Sequence, residues 1–126
     1  MTDSNLILHV EDNAENRMLV RRILQASGFT VVETENASQT LKILDELRPG
    51  LILMDINIPE MDGYTLTHKI KTMPDMAAVP IVAITANVMR GDREKTLQAG
   101  CDGYIQKPID VDTFVDQIQR FMSDAE

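Results

Sequence analysis

Leu51-Ile52-Leu53-Met54-Asp55-Ile56-Asn57-Ile58-Pro59-Glu60-Met61-Asp62-Gly63 is the stretch that decides the fold. Its opening run, residues 51–54, is apolar at every position, which suits a strand buried on both faces of a parallel sheet. A carboxylate, Asp55, stands where the run stops. Pro59 and Gly63 bracket a turn, and Leu66 and Ile70 then recur at helical spacing. A buried strand, an acid at its carboxyl end and a helix behind it make one β-α unit.

The same unit repeats on either side. Apolar runs at residues 6–10, 30–32, 80–84 and 103–105 read as four further strands. Leu19, Val20, Ile23 and Leu24 put a stripe on one helix, which Gly28 can end; Ala37, Leu41 and Leu44 mark the next, with Asn36 as N-cap. Val111, Phe114, Val115, Ile118, Phe121 and Met122 line the last helix, capped by Asp110. The fourth helical segment, residues 88–99, is different. It carries Arg90, Asp92, Arg93, Glu94, Lys95 and Gln98, with few apolar anchors beyond Val88 and Leu97, so it reads as a shallowly packed surface helix. Strand and helix alternate five times. Right-handed crossovers then give an α/β, flavodoxin-like (βα)5 three-layer sandwich with a parallel sheet of order 2-1-3-4-5. Five units are too few for an eightfold barrel.

At 126 residues the chain fits one domain spanning 1–126, with a core large enough to fold without disulfides or a structural metal. Its net charge of −8 works against direct binding of nucleic acid or an anionic membrane surface. One cysteine, Cys101, allows no internal disulfide. The first residues lack the basic start of a signal peptide, and no run approaches the ~20 apolar residues of a membrane span. The expectation is a soluble cytoplasmic protein.

In such a sheet, sites form beyond the carboxyl ends of the strands. There the sequence places Glu11, Asp12 and Asn13 after strand 1, Asp55 and Asn57 after strand 3, Thr85 after strand 4 and Lys107 after strand 5. Each alone has an ordinary explanation as a cap, a turn hydroxyl or a solvated charge. Their conjunction at four strand ends does not. Clustered carboxylates repel and call for a cation or a shared proton, and oxygen donors suit Mg²⁺. A carboxylate can also act as nucleophile and form an aspartyl-phosphate. Phosphoryl transfer then needs positioning and positive charge, which Mg²⁺ and Lys107 would supply, with the Thr85 hydroxyl as a donor to a phosphoryl oxygen.

The motifs His9-Val10-Glu11-Asp12-Asn13, residues 53–63, Ile84-Thr85-Ala86-Asn87 and Gly103-Tyr104-Ile105-Gln106-Lys107-Pro108-Ile109 together resemble the signature of two-component response-regulator receiver domains. The likeness runs the length of the chain, in order and spacing, and is closest to single-domain regulators without an output domain. It implies Asp55 as phosphoacceptor. It also implies Mg²⁺ held by Glu11, Asp12, Asp55 and the backbone carbonyl of Asn57. Lys107 would pair with Asp55, Thr85 and Tyr104 would be switch residues, and the Lys107–Pro108 bond would be cis. Glu11 stands where aspartate is common, and its extra methylene alters the reach, so its metal contact would be direct or through water. Asn57 and Asn87 occupy positions that tune dephosphorylation. The implied partners are a histidine kinase or histidine phosphotransfer protein and a downstream protein target, met through the face of helix 4, strand 5 and helix 5. A receiver excised from a larger kinase would read the same way.

Other functions fit less well. An aspartate-nucleophile phosphohydrolase uses Asp-x-Asp, and Asn57 in the second position cannot protonate a leaving group. A flavin-binding module needs a phosphate loop after strand 1, where Glu11 and Asp12 would repel phosphate. A phosphorylation-independent scaffold has no use for Asp55, Thr85 and Lys107 together. His9 and His68 read as a buried strand residue and an exposed helix residue, and Cys101 as a small buried one.

Overall fold

The computed structural model describes residues 3–86 and 92–124. In chain order its elements are β1 (Asp3–Val10), α1 (Ala14–Ala26), β2 (Thr30–Thr34), α2 (Ala37–Leu44) and β3 (Pro49–Asp55). They continue with α3 (Gly63–Lys71), β4 (Ile81–Thr85), α4 (Asp92–Gln98), β5 (Gly103–Gln106) and α5 (Val111–Asp124). All strand pairs are parallel and the order is β2-β1-β3-β4-β5. The flavodoxin-like architecture expected from the alternation is the one found.

The side-chain period of two splits the core between the faces. Leu51 and Leu53 of β3 join Ile7, Val82, Ile84 and Ile105 under α1 and α5, against Val20, Leu24, Phe114 and Ile118. Ile52 and Met54 join Leu8, Val10, Ile81 and Ala83 on the other face, against Leu44, Leu66 and Ile70. Residues 51–55 are buried throughout, as a central parallel strand requires.

Local signals set the helix ends. The side chains of Asn13, Asn36 and Asp62 accept from the backbone N–H groups of Asn16, Gln39 and Thr65, and that of Asp110 accepts from Asp112. Gly28, at φ +92°, closes α1 in a conformation other residues resist. The Lys107–Pro108 bond is cis, as the resemblance implied.

Three expected apolar anchors are exposed instead: Leu19 (42%), Leu97 (60%) and Val111 (56%). In α4 Thr96 is buried, and its hydroxyl lies 3.4 Å from the Tyr64 hydroxyl of α3. A polar residue one position from Leu97 faces the body, so helix phase is set here by packing and not by hydropathy. The expected start of this helix at Val88, and Asn87 before it, lie outside the described residues.

Candidate phosphoacceptor site

Four loops bring the site together at the carboxyl edge of the sheet. Val10 pairs with Met54, so Glu11 and Asp55 leave neighbouring strands side by side. Asp55 pairs with Ile84, which sets Thr85 one residue further along β4, and Thr85 pairs with Gln106, the residue before Lys107. Backbone bonds fix these exits: the Glu11 N–H donates to the Thr34 carbonyl (2.9 Å) and the Lys107 N–H to the Thr85 carbonyl (2.8 Å).

Carboxylate oxygens of Glu11, Asp12 and Asp55 lie within 4.8 Å of one another. Glu11 and Asp55 are buried and Asp12 is exposed. The Lys107 ammonium reaches both buried acids, 3.2 Å from Glu11 and 3.4 Å from Asp55. The other oxygen of Asp55 accepts from the Asn57 N–H (3.1 Å). The next helix sits hard against this strand end. A Cβ on Gly63 would fall 2.6 Å from the Asp55 carbonyl oxygen and 2.7 Å from the Ile56 Cα. Only glycine permits that approach.

The electrostatics follow from crowding. Burial, then the hydrogen bond and charge of Asp55, push the Glu11 carboxyl up to about 7, with Lys107 pulling back only partly. Burial also opposes charge on Asp55. There the hydrogen bonds from Glu11 and the Asn57 N–H, with Lys107, outweigh it and hold the carboxyl below its ordinary value. Lys107 is held above its ordinary value, burial being overcome by the two acids. Asp55 is thus kept ionised and Glu11 is the acid that shares a proton. Two buried acids and one exposed one form a hard oxygen donor set with an open side, which fits Mg²⁺.

Glu11, Asp12, Asp55 and Lys107 therefore meet as expected, with Thr85 buried at the neighbouring strand end. Tyr104 is half-buried on β5, opposite Ala83, and packs on the core face of α2 and α3 outside the acid cluster. His68 is exposed and Cys101 buried, its thiol pushed up to about 11 by burial.

His9 is the buried strand residue that the sequence suggested. It is buried, its Nδ1 has no hydrogen-bond partner, and burial pushes it down to about 4. What the sequence did not signal is the set Arg17, Glu35, Ser38 and Glu60. Their contacts join distant segments and have no sequence signature.

A parallel five-stranded sheet of order 2-1-3-4-5 ending in an acid cluster with a facing lysine is the arrangement of a receiver-type signalling domain. The response regulator receiver domain model matches residues 7–119, and the chain belongs to that family. It is 40% identical over 119 residues to the polar-differentiation response regulator DivK of Brucella anthropi, covering 94% of this chain and 97% of that protein. Among solved structures it resembles the receiver domain of sensor histidine kinase PA1611 from Pseudomonas aeruginosa PAO1, which has a magnesium ion coordinated in its active-site cleft. Identity there is 35%, TM-score 0.87, and coverage 94% of this chain and 98% of that one. It also resembles the receiver domain of a signal transduction histidine kinase from Syntrophus aciditrophicus. That match has 30% identity, TM-score 0.87 and coverage of 95% and 91%. The chain is a signalling switch of this family, and no helix among its described residues is long and apolar enough to cross a membrane.

Proposed function

We propose that Asp55 accepts a phosphoryl group, with Mg²⁺, from a phosphohistidine on a histidine kinase or phosphotransfer protein. The observation that carries this reading is the Glu11–Asp12–Asp55 cluster faced by Lys107. An ionised Asp55 oxygen attacks phosphorus, the P–N bond breaks, and the imidazole leaves with the electron pair. The Asn57 N–H orients the carboxylate for attack. Glu11, Asp12, Asp55 and the Asn57 carbonyl would hold Mg²⁺, which when bound neutralises charge on the transferring oxygens.

Lys107 then exchanges its contact with Asp55 for one with the phosphoryl group, and Thr85 donates its hydroxyl to a phosphoryl oxygen. The active shape binds the modification better, so the population shifts. Tyr104, on β5 beside Ala83, follows into the space that Thr85 leaves. The output is a changed α4-β5-α5 face that meets a downstream protein in the cytoplasm.

The test is acetyl phosphate with and without Mg²⁺, read by intact mass on the parent and on Asp55→Asn. Gain of one phosphoryl group that needs both Mg²⁺ and Asp55 is expected. A folded, metal-supplied parent that gains none would refute the reading.

A further inference from the structure

The two loops that carry the acid cluster and Asn57 are tied to a third segment, the first turn of α2. On one side Arg17 of α1 donates to the Glu11 carbonyl (2.9 Å) and pairs with Glu35 (3.2 Å). Glu35 immediately precedes the N-cap Asn36, and its own N–H donates to Gln39 of that turn (2.8 Å). On the other side Ser38 donates twice to Glu60, from its hydroxyl (2.6 Å) and its N–H (3.3 Å). Glu60 lies three residues after Asn57, in the loop between β3 and α3.

Glu60 is unusual in itself. Its φ is +73°, a left-handed conformation that crowds the Cβ of any residue but glycine. Glycine or asparagine would take that position more cheaply. The glutamate side chain there meets a free N–H at a helix N-terminus and a serine hydroxyl, which offsets the strain. Both contacts are exposed, so they add little to global stability. What they constrain is the separation of two loops.

We infer that the first turn of α2, through Arg17–Glu35 on one side and Ser38–Glu60 on the other, braces the Glu11–Asp12 loop and the Asn57 loop at the spacing a divalent cation needs. Ser38, Glu60 and Glu35 are positioning residues that touch neither cation nor phosphoryl group. The inference rests on the proposed metal site. It deepens that reading by naming what holds the site's two halves apart.

The probe is Mn²⁺ alone, with free ion counted by electron paramagnetic resonance at 0.15 M salt, alongside urea unfolding of the metal-free proteins. Ser38→Ala removes the hydroxyl half of one arm without changing charge, Glu60→Asn removes both halves while easing the left-handed backbone, and Glu35→Gln removes the ion pair of the other arm. Each is expected to weaken Mn²⁺ binding about tenfold, the low end for residues that orient ligands, with metal-free stability nearly unchanged. Ser38→Thr, which keeps the hydroxyl, should restore affinity. Glu15→Gln removes an equal charge from the exposed surface of α1 and should change little. Ser38→Ala with Glu60→Asn should be no worse than Glu60→Asn alone, because both act on one contact. Affinity within about twofold of the parent for either arm overturns the brace. If the parent itself fails to bind Mn²⁺, or binds it equally after Asp55→Asn, the metal site fails first, which separates the two readings.

Discussion

Replacing Glu11 with glutamine should stabilise the metal-free protein above pH 7 and not below pH 5. Glu11 is 2% exposed, and burial with the neighbouring Asp55 raises its carboxyl from 4.5 to about 7. A raised folded-state value means that its stability contribution is complete below pH 4.5 and is lost as pH rises to 7. At about 1.4 kcal/mol per unit, the loss reaches about 3 kcal/mol at pH 8 and stays below about 1 kcal/mol at pH 5. Glutamine mimics the protonated acid, can still donate to Asp55, and does not titrate. The chain has no tryptophan, so urea unfolding would be followed by far-ultraviolet circular dichroism in EDTA. For a domain of this size about 3 kcal/mol is a midpoint shift of roughly 1.5 M urea. The parent profile alone would mislead, because His9 titrates over the same range with the opposite sign. The stability gap between variant and parent is the quantity to measure. Mg²⁺ should close the gap by stabilising the parent more than Glu11→Gln. A gap that is the same at pH 5 and pH 8 would refute the argument that Glu11 and Asp55 are strained by charge.

His9 supplies the complementary test: its folded value is depressed from 6.5 to about 4, so stability is lost as pH falls through that window, by up to about 3 kcal/mol. Urea titrations of His9→Leu should show a shallower acid limb than the parent, and an equally steep one would show that His9 is not the cause. Lys107→Ala should leave a folded protein that still takes the phosphoryl group but no longer transmits it, read as modified mass without the amide shifts on β5 and α5 that the parent shows by NMR. Thr85→Ala should likewise accept phosphate and signal poorly, and normal signalling by that variant would remove Thr85 from the switch. Gly63→Ala must displace backbone around Asp55 and should cost about 1–3 kcal/mol in urea unfolding, with phosphorylation slowed as well.

The fold was legible because its determinants are local. The apolar run at residues 51–54 has a period and a length, Asn36 and Asp110 sit where helix caps belong, and alternation of strand and helix leaves few topologies. The positions of Glu11, Asp55, Thr85 and Lys107 followed from the same logic, since parallel strands send their carboxyl ends to one edge. Tertiary packing decided what hydropathy could not. It left Leu19, Leu97 and Val111 in solvent and turned Thr96 inward, because a helix takes the phase its neighbours allow. It also set the charge states. No residue type shows that Glu11 holds a proton near pH 7 while Asp55, with similar chemistry, does not; the difference is that Asp55 accepts hydrogen bonds from Glu11 and from the Asn57 N–H. The brace through Arg17, Glu35, Ser38 and Glu60 lies in the same class. Its partners are up to 22 residues apart, and only the folded chain brings them within hydrogen-bond reach.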